Sequence, residues 1–137
     1  MSEGEAPRDE REHGLRRVRR FYGIAAEREW NRLDQPRDGR LEFAVHKAWI
    51  GRFLPPPGSG VLDIGGGPGR YSIWLAEHGY RVTLADLSPE LLALAEEKAA
   101  EFAVAIESFV EANATDLSEF ADASFDATLC MGPLYHL

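Results

Sequence analysis

The sequence predicts an α/β fold on a parallel sheet, and three observations carry that expectation. Beyond Gly60, short apolar stretches alternate with amphipathic ones, as strand-helix-strand units do. The first stretch runs straight into a glycine-rich turn, "VLDIGGGPGR", from Val61 to Arg70. The second ends on an acid, Asp86, 21 residues after Gly65.

Taken in order, residues 1–14 are polar and aperiodic and are expected to form a frayed tail. Residues 15–54 predict a helical cap. Val18, Phe21, Tyr22, Ala25, Ala26 and Leu33 recur at helical spacing, with Gly23 as a break between two short helices. After the turn "DQPRDG", Leu41, Ala44, Val45, Ala48 and Trp49 mark the apolar face of a further helix. Gly51 and the stiff linker "PPPGSG", residues 55–60, close it, because proline removes a donor and clashes with the preceding turn. The core is expected over 61–137. Its first strand is "VLDI", followed by a helix with Tyr71, Trp74, Leu75 and His78 on one face and Gly79 at its end. "RVTLA" is the second strand. In "DLSPELLALAEEKAAEF", Ser88 suits the cap and Pro89 the first turn, while Leu91, Leu94, Ala95, Ala99 and Phe102 face inward. A third strand within 106–112 has the mixed polarity of a sheet edge, and "FDATLC", 125–130, is the fourth. Right-handed crossovers make such a sheet parallel and covered on both faces, so the expectation is a three-layer, Rossmann-like core behind a helical cap.

Composition narrows what such a fold can do here. The chain has 137 residues, 45% of them hydrophobic, enough for one domain that buries roughly two-thirds of its unfolded surface. Net charge is -8, and it is uneven: the first 40 residues hold 10 of the 15 Lys+Arg and 9 of the 23 Asp+Glu. The acidic remainder repels phosphate backbones and favours a small cationic ligand, so nucleic-acid binding is not expected. The arginines of "RRVRR" (Arg16, Arg17, Arg19, Arg20) read either as a solvated helix face or as a site for an acidic acceptor or RNA. A single cysteine, Cys130, excludes an internal disulfide and fits a reducing compartment. No apolar run reaches about 18 residues and the start lacks a signal-peptide core, so a cytoplasmic protein without membrane insertion is expected. No metal is expected either.

The glycines carry the chemistry. In a doubly wound sheet the loop after the first strand faces the ligand crevice, and glycine serves where φ is positive or where a ligand must approach bare backbone. A flexible turn would need neither an acid before the glycines nor a second acid at a set distance. Asp86 stands where a carboxylate accepts both hydroxyls of a ribose, which implies a nucleoside; its alternative role, a helix cap, is already filled by Ser88. A dinucleotide site wants G-x-G-x-x-G. From Gly65 the third glycine falls on Arg70, and from Gly66 the series reads Gly66, Pro68, Tyr71. The spacing present is D-x-G-x-G-x-G, through Asp63, Gly65, Gly67 and Gly69. An acid in the loop repels a pyrophosphate and suits a ligand bearing ammonium and sulfonium charges.

Four ordered stretches, "VLDIGGGPGRYS", "VTLADLSPELLALA", "EANATDL" and "SFDATLCMGPLYHL", resemble the class I S-adenosylmethionine-dependent methyltransferases, in the small-molecule group typified by quinone-biosynthesis enzymes. The resemblance spans about residues 15–137. It implies S-adenosylmethionine as cofactor and S-adenosylhomocysteine as product. It places Gly65, Gly66, Gly67 and Gly69 against the methionine part, Asp63 near its amino group, Asp86 on the ribose and Leu87 beside the adenine. Where the family commonly has Asp-Ala after the third strand, this chain has Asn113 and Ala114, so the adenine amino group would meet an uncharged carbonyl. Cys130 would approach the methionine moiety through its backbone; as a thiol it reads equally as a small buried residue. Tyr22 resembles an aromatic that folds over the cofactor, with core packing as the alternative. His136, beside Tyr135, lies where a base would meet an acceptor, and a packing role stands against that.

Methyl transfer to a small-molecule acceptor by in-line displacement is therefore the leading reading. An NAD-dependent oxidoreductase domain and a non-catalytic cofactor-binding or partner module are the alternatives. The family has a seven-stranded sheet, and four strands are expected here. The fourth strand is then an open edge. Either the chain is a fragment of a longer protein or another copy completes the sheet, and the isolated chain is expected to bind cofactor weakly and to self-associate.

Overall fold

The structure, a computed structural model, describes residues 25–131. The expected tail, the arginine run, the break at Gly23, and Tyr22, Tyr135 and His136 lie outside the described residues.

Helical residues 25–32 (α1) lead through a turn to α2, Gly39–Phe53. Then come β1, Gly60–Ile64; α3, Arg70–Glu77; β2, Arg81–Asp86; α4, Pro89–Glu101; β3, Ser108–Glu111; and β4, Ala127–Cys130. The sheet runs in the order β3-β2-β1-β4, all parallel. β1 is central, which is why all five of its residues are buried. β3 is an edge, as its polarity predicted, and β4 forms the other edge among the described residues.

Register places the chemistry. Asp63 pairs with Leu84 on one side and Leu129 on the other, and the alternation of strand faces puts Asp63 with Val61, Val82 and Leu84 toward the helices. Val61, Leu75 and Val82 form the centre of that layer with Leu33, Tyr71 and Leu129. Burying each aliphatic side chain of this kind contributes about 1.5–3 kcal/mol. The opposite face, with Leu62, Ile64 and Ala85, is covered by Phe120 and Phe125 of the irregular segment between β3 and β4. Helices were expected on both faces. The β3–β4 connection forms turns instead, so described helices cover one face only.

The helix boundaries follow their caps. Ser88 Oγ accepts from Leu91 N with Pro89 in the first turn, as anticipated. Gly79 has φ 88°, a left-handed conformation that ends α3. Three orientations differ from expectation. Leu41, Val45 and Trp49 of α2 face solvent, and the packed side carries Phe43, His46 and Ile50. The helix has two apolar stripes, and periodicity alone does not say which one meets the sheet. Phe102 is half-exposed and stands edge-on to Trp30, while Leu92 is buried in its place. His78 is exposed, and its Nδ1 bonds Trp74 O. Nor does Gly51 end α2, which continues to Phe53 until the prolines stop it. The linker is tied to the core: Tyr80 donates from its hydroxyl to Pro55 O at 2.7 Å and Gly58 N to Gly79 O at 2.9 Å.

Candidate functional site

The glycine loop turns at the carboxyl end of β1. Gly65, Gly67 and Gly69 have φ of 65°, 57° and 89°, a region that costs roughly 1 kcal/mol or more for residues with a β-carbon. Gly66 is required for another reason. A Cβ there would collide with Leu84 Cδ1 and with the Asp63 carboxylate beneath it. The loop is held from below by Gly65 N donating to Ala85 O at 2.7 Å.

Two carboxylates flank this loop. Asp63 is 1% exposed and accepts from Ser72 Oγ at 2.7 Å. Burial pushes its carboxyl up to about 6, against the pull of the Ser72 hydrogen bond, and the nearby Asp86 charge pushes the same way. Asp86, at the end of β2, accepts from Gly67 N through Oδ2 and from Ser88 N through Oδ1, both at 2.9 Å. It therefore fixes the loop to the start of α4. Each carboxylate oxygen offers a second lone pair, so these bonds leave Asp86 able to accept from a ligand.

A cavity of about 440 Å³ opens beside the loop. It brings together Asp63, Gly65, Gly66, Gly67 and Cys130 from the sequence-predicted set. Gly69 lies below it as the N-cap of α3, packed on Ala95 and Leu84. Asp86 and Leu87 stand beyond the loop at the end of β2, Leu87 exposed. Asn113 and Ala114 are not in the lining; Asn113 Oδ1 accepts from both Thr115 N at 2.9 Å and Thr115 Oγ1 at 2.7 Å, which occupies the carbonyl expected to meet an adenine.

The cavity also contains residues that the sequence did not mark. His46 of α2 and Tyr71 of α3 meet across it, Nδ1 to the phenol oxygen at 2.7 Å. Burial, with Glu42 nearby, pushes the Tyr71 phenol up to about 12. Arg32 donates to both oxygens of Glu42 at 2.9 Å and to Glu29 at 3.1 Å. Ser72 had a legible signal, being a hydroxyl in the first turn after the loop. His46 had none, because its role depends on which face of α2 turns inward.

Arg70 fastens the helical cap to the loop. Its guanidinium makes two hydrogen bonds to Asp34, at 3.0 and 2.7 Å, and lies 4.5 Å from the Trp30 ring and 5.1 Å from that of Phe43. Arg70→Ala is expected to cost about 1–2 kcal/mol of stability, more than an ordinary surface ion pair, because two aromatic stacks go with the salt bridge. Chemical denaturation measures this. Arg70→Lys should recover only part of it, as an ammonium cannot match the planar fork.

Among the described residues no group of three or more His, Cys, Asp or Glu could hold a metal ion, and no helix is long and apolar enough to cross a membrane.

Comparison with known proteins gives consistent results. A model described as "Methyltransferase domain" matches residues 61–137. A ubiquinone biosynthesis O-methyltransferase of Xanthomonas axonopodis pv. citri is 37% identical over 93 residues, 68% of this chain and 38% of that protein. A SAM-dependent methyltransferase structure from Methanosarcina mazei is 37% identical, with a TM-score of 0.51 over 58% of this chain and 39% of that one. The magnesium protoporphyrin IX methyltransferase of Synechocystis, solved with bound SAM, shares the fold at 24% identity, TM-score 0.63, over 88% of this chain and 62% of that one. The chain thus spans well under half the length of the curated relative it matches.

Proposed function

This chain belongs to the methyltransferase-domain family, and on that premise we propose that it binds S-adenosylmethionine and serves methyl transfer to a small-molecule acceptor. The observation that carries the reading is the pair of buried carboxylates on either side of a bare glycine loop. Asp63 lies under Gly66, and Asp86 holds Gly67 from the far side. That donor set fits a ligand with a cationic amino acid at one end and a ribose at the other. It does not fit a pyrophosphate, which the Asp63 charge would repel.

When bound, the cofactor supplies a methyl group already activated by its sulfonium. The chain's residues then have three tasks. The half-exposed backbone of Gly65 and Gly66, bare of side chains, receives the methionine part, with Asp63 as the anion for its ammonium. Asp86 accepts from the ribose hydroxyls while keeping the loop in shape. The cap, fastened through Arg70, excludes water from the cavity, so that alignment contributes a large share of the rate, up to roughly 7–11 kcal/mol. Two ubiquinone-biosynthesis relatives at 37% identity support an acceptor of small-molecule type.

Titration with S-adenosylhomocysteine tests the reading. The melting temperature should rise with that compound and stay unchanged with NAD; a rise with NAD alone would favour the oxidoreductase alternative. We place the protein in the cytoplasm, supported by its one unpaired cysteine.

A further inference from the structure

We infer that His46, held by Tyr71, is the group that takes a proton from a hydroxyl of an apolar acceptor during methyl transfer. The inference rests on the methyl-transfer reading and deepens it by naming the acceptor class.

Two cavities meet at His46. One is the cleft of about 440 Å³ that contains the glycine loop and Asp63. The other, of about 360 Å³, is an open apolar cleft between Ile50, Leu54 and the exposed rings of Trp49 and Phe53 on one side and β4, from Ala127 to Cys130, on the other. Among the described residues, only His46, Cys130 and Met131 line both. A methyl donor laid on the glycine loop and an acceptor seated among the aromatic and aliphatic side chains would therefore face each other across these three residues. Of the three, His46 is the one suited to accept a proton from a hydroxyl in that position.

Tyr71 gives the imidazole its orientation. The phenol oxygen lies 2.7 Å from Nδ1. In the tautomer that donates from Nδ1, the lone pair is left on Nε2. Burial keeps the phenol neutral, so it remains a hydrogen-bonding partner and does not become a competing base. Among the described residues, the charged and titratable groups around the first cavity, besides His46 and Tyr71, are Glu42 on the same helix, Glu29 and Arg32 of α1, Asp63 of β1, Arg70 of α3 and Cys130 of β4. Glu42 and Arg32 neutralise one another, and Arg70 is turned to Asp34.

The step balances without any further reactant. The acceptor oxygen forms its bond to the methyl carbon with a lone pair, as that carbon's bond to sulfur breaks and the pair stays on sulfur. The hydroxyl proton passes to Nε2, and the imidazolium returns it to solvent. A proton acceptor placed in this way contributes typically 10²–10⁴-fold.

Two acceptors that differ in acidity test this. Phenol keeps its proton in mildly alkaline buffer, whereas 4-nitrophenol is largely ionised and needs no base. His46→Asn, whose amide can keep a hydrogen bond to Tyr71, should lose at least about 100-fold in kcat with phenol and less than about threefold with 4-nitrophenol. Tyr71→Phe should show the same selectivity with a loss of about tenfold. S-adenosylhomocysteine affinity, measured calorimetrically, should be unchanged in both variants; if the unaltered chain fails to bind that compound, the methyl-transfer reading fails, which is a separate result. Equal losses with the two acceptors would mean that His46 only shapes the cavity, and would overturn the proposal. A readout without turnover stands beside these: phenol added to the chain should shift the ring signals of His46 in the NMR spectrum. No shift at saturating phenol overturns the proposal whatever the activity.

Discussion

Asp63→Asn should make the protein more stable at neutral pH and weaken its hold on the cofactor. The buried carboxyl has its pKa raised from 3.8 to about 6, chiefly by desolvation, so the folded state binds a proton there more tightly than the unfolded chain does. Stability therefore rises as pH falls from about 6 toward 3.8, and it is lost as pH rises through 6. Above that range the charged side chain costs the fold something on the order of 1–3 kcal/mol, which a neutral isostere avoids. The amide can still accept from Ser72 Oγ, which now donates to the carboxylate at 2.7 Å. The expected result is a gain of roughly 3–10 °C in melting temperature at neutral pH. This gain should shrink through the window from 6 to 3.8 and vanish below it. Cofactor affinity should fall tenfold or more, because the anion proposed to face the ammonium is gone. If the variant gained stability without losing affinity, Asp63 would be a strained structural residue and nothing more. If its advantage did not depend on pH, desolvation of the carboxylate would be the wrong explanation.

Asp86→Ala should have the largest effect on binding. The substitution removes the acceptor for Gly67 N and Ser88 N together, and leaves two backbone donors, one in the glycine loop and one at the cap of α4, without their partner. An unmet buried donor costs about 1–3 kcal/mol, so stability falls as well as affinity. Comparison with Asp86→Asn separates the two. The amide retains one oxygen, enough to keep Gly67 or Ser88 in place but not both, so its stability should lie between those of Asp86→Ala and the unaltered chain. Affinity should still fall about tenfold or more, since the charge-assisted bonds proposed to the ribose hydroxyls go with the charge. Calorimetric titration with S-adenosylhomocysteine beside urea denaturation gives both numbers. An unchanged dissociation constant in Asp86→Asn would show that Asp86 shapes the loop and does not touch the ligand.

Much of this site was legible because its signals are local. The four glycines, the acid before them and the acid at the end of the next strand lie on one short crossover, and backbone sterics force glycine where φ is positive. Ser88 and Pro89 declared the start of α4 for the same kind of reason. The α2 face was not legible. Leu41, Val45 and Trp49 make as good a stripe as Phe43, His46 and Ile50, and the choice depended on what lay across the gap. His46 was missed along with that face. Asn113 looked available in the sequence, yet a local turn with Thr115 engages its carbonyl.

The sequence by itself determined the order of strands and helices, the glycine loop and the two acids beside it, since each follows from dihedral preference, capping or charge within a few residues. Only the tertiary structure decided that Asp63 is sealed under Gly66, that Arg70 locks the cap between two rings, and that His46 meets Tyr71 between two cavities. The contacts of Arg70 and His46 join residues 25 to 40 positions apart, and pairing at such range arises from packing, as does the burial of Asp63 among strands and helices, which no short window of sequence contains.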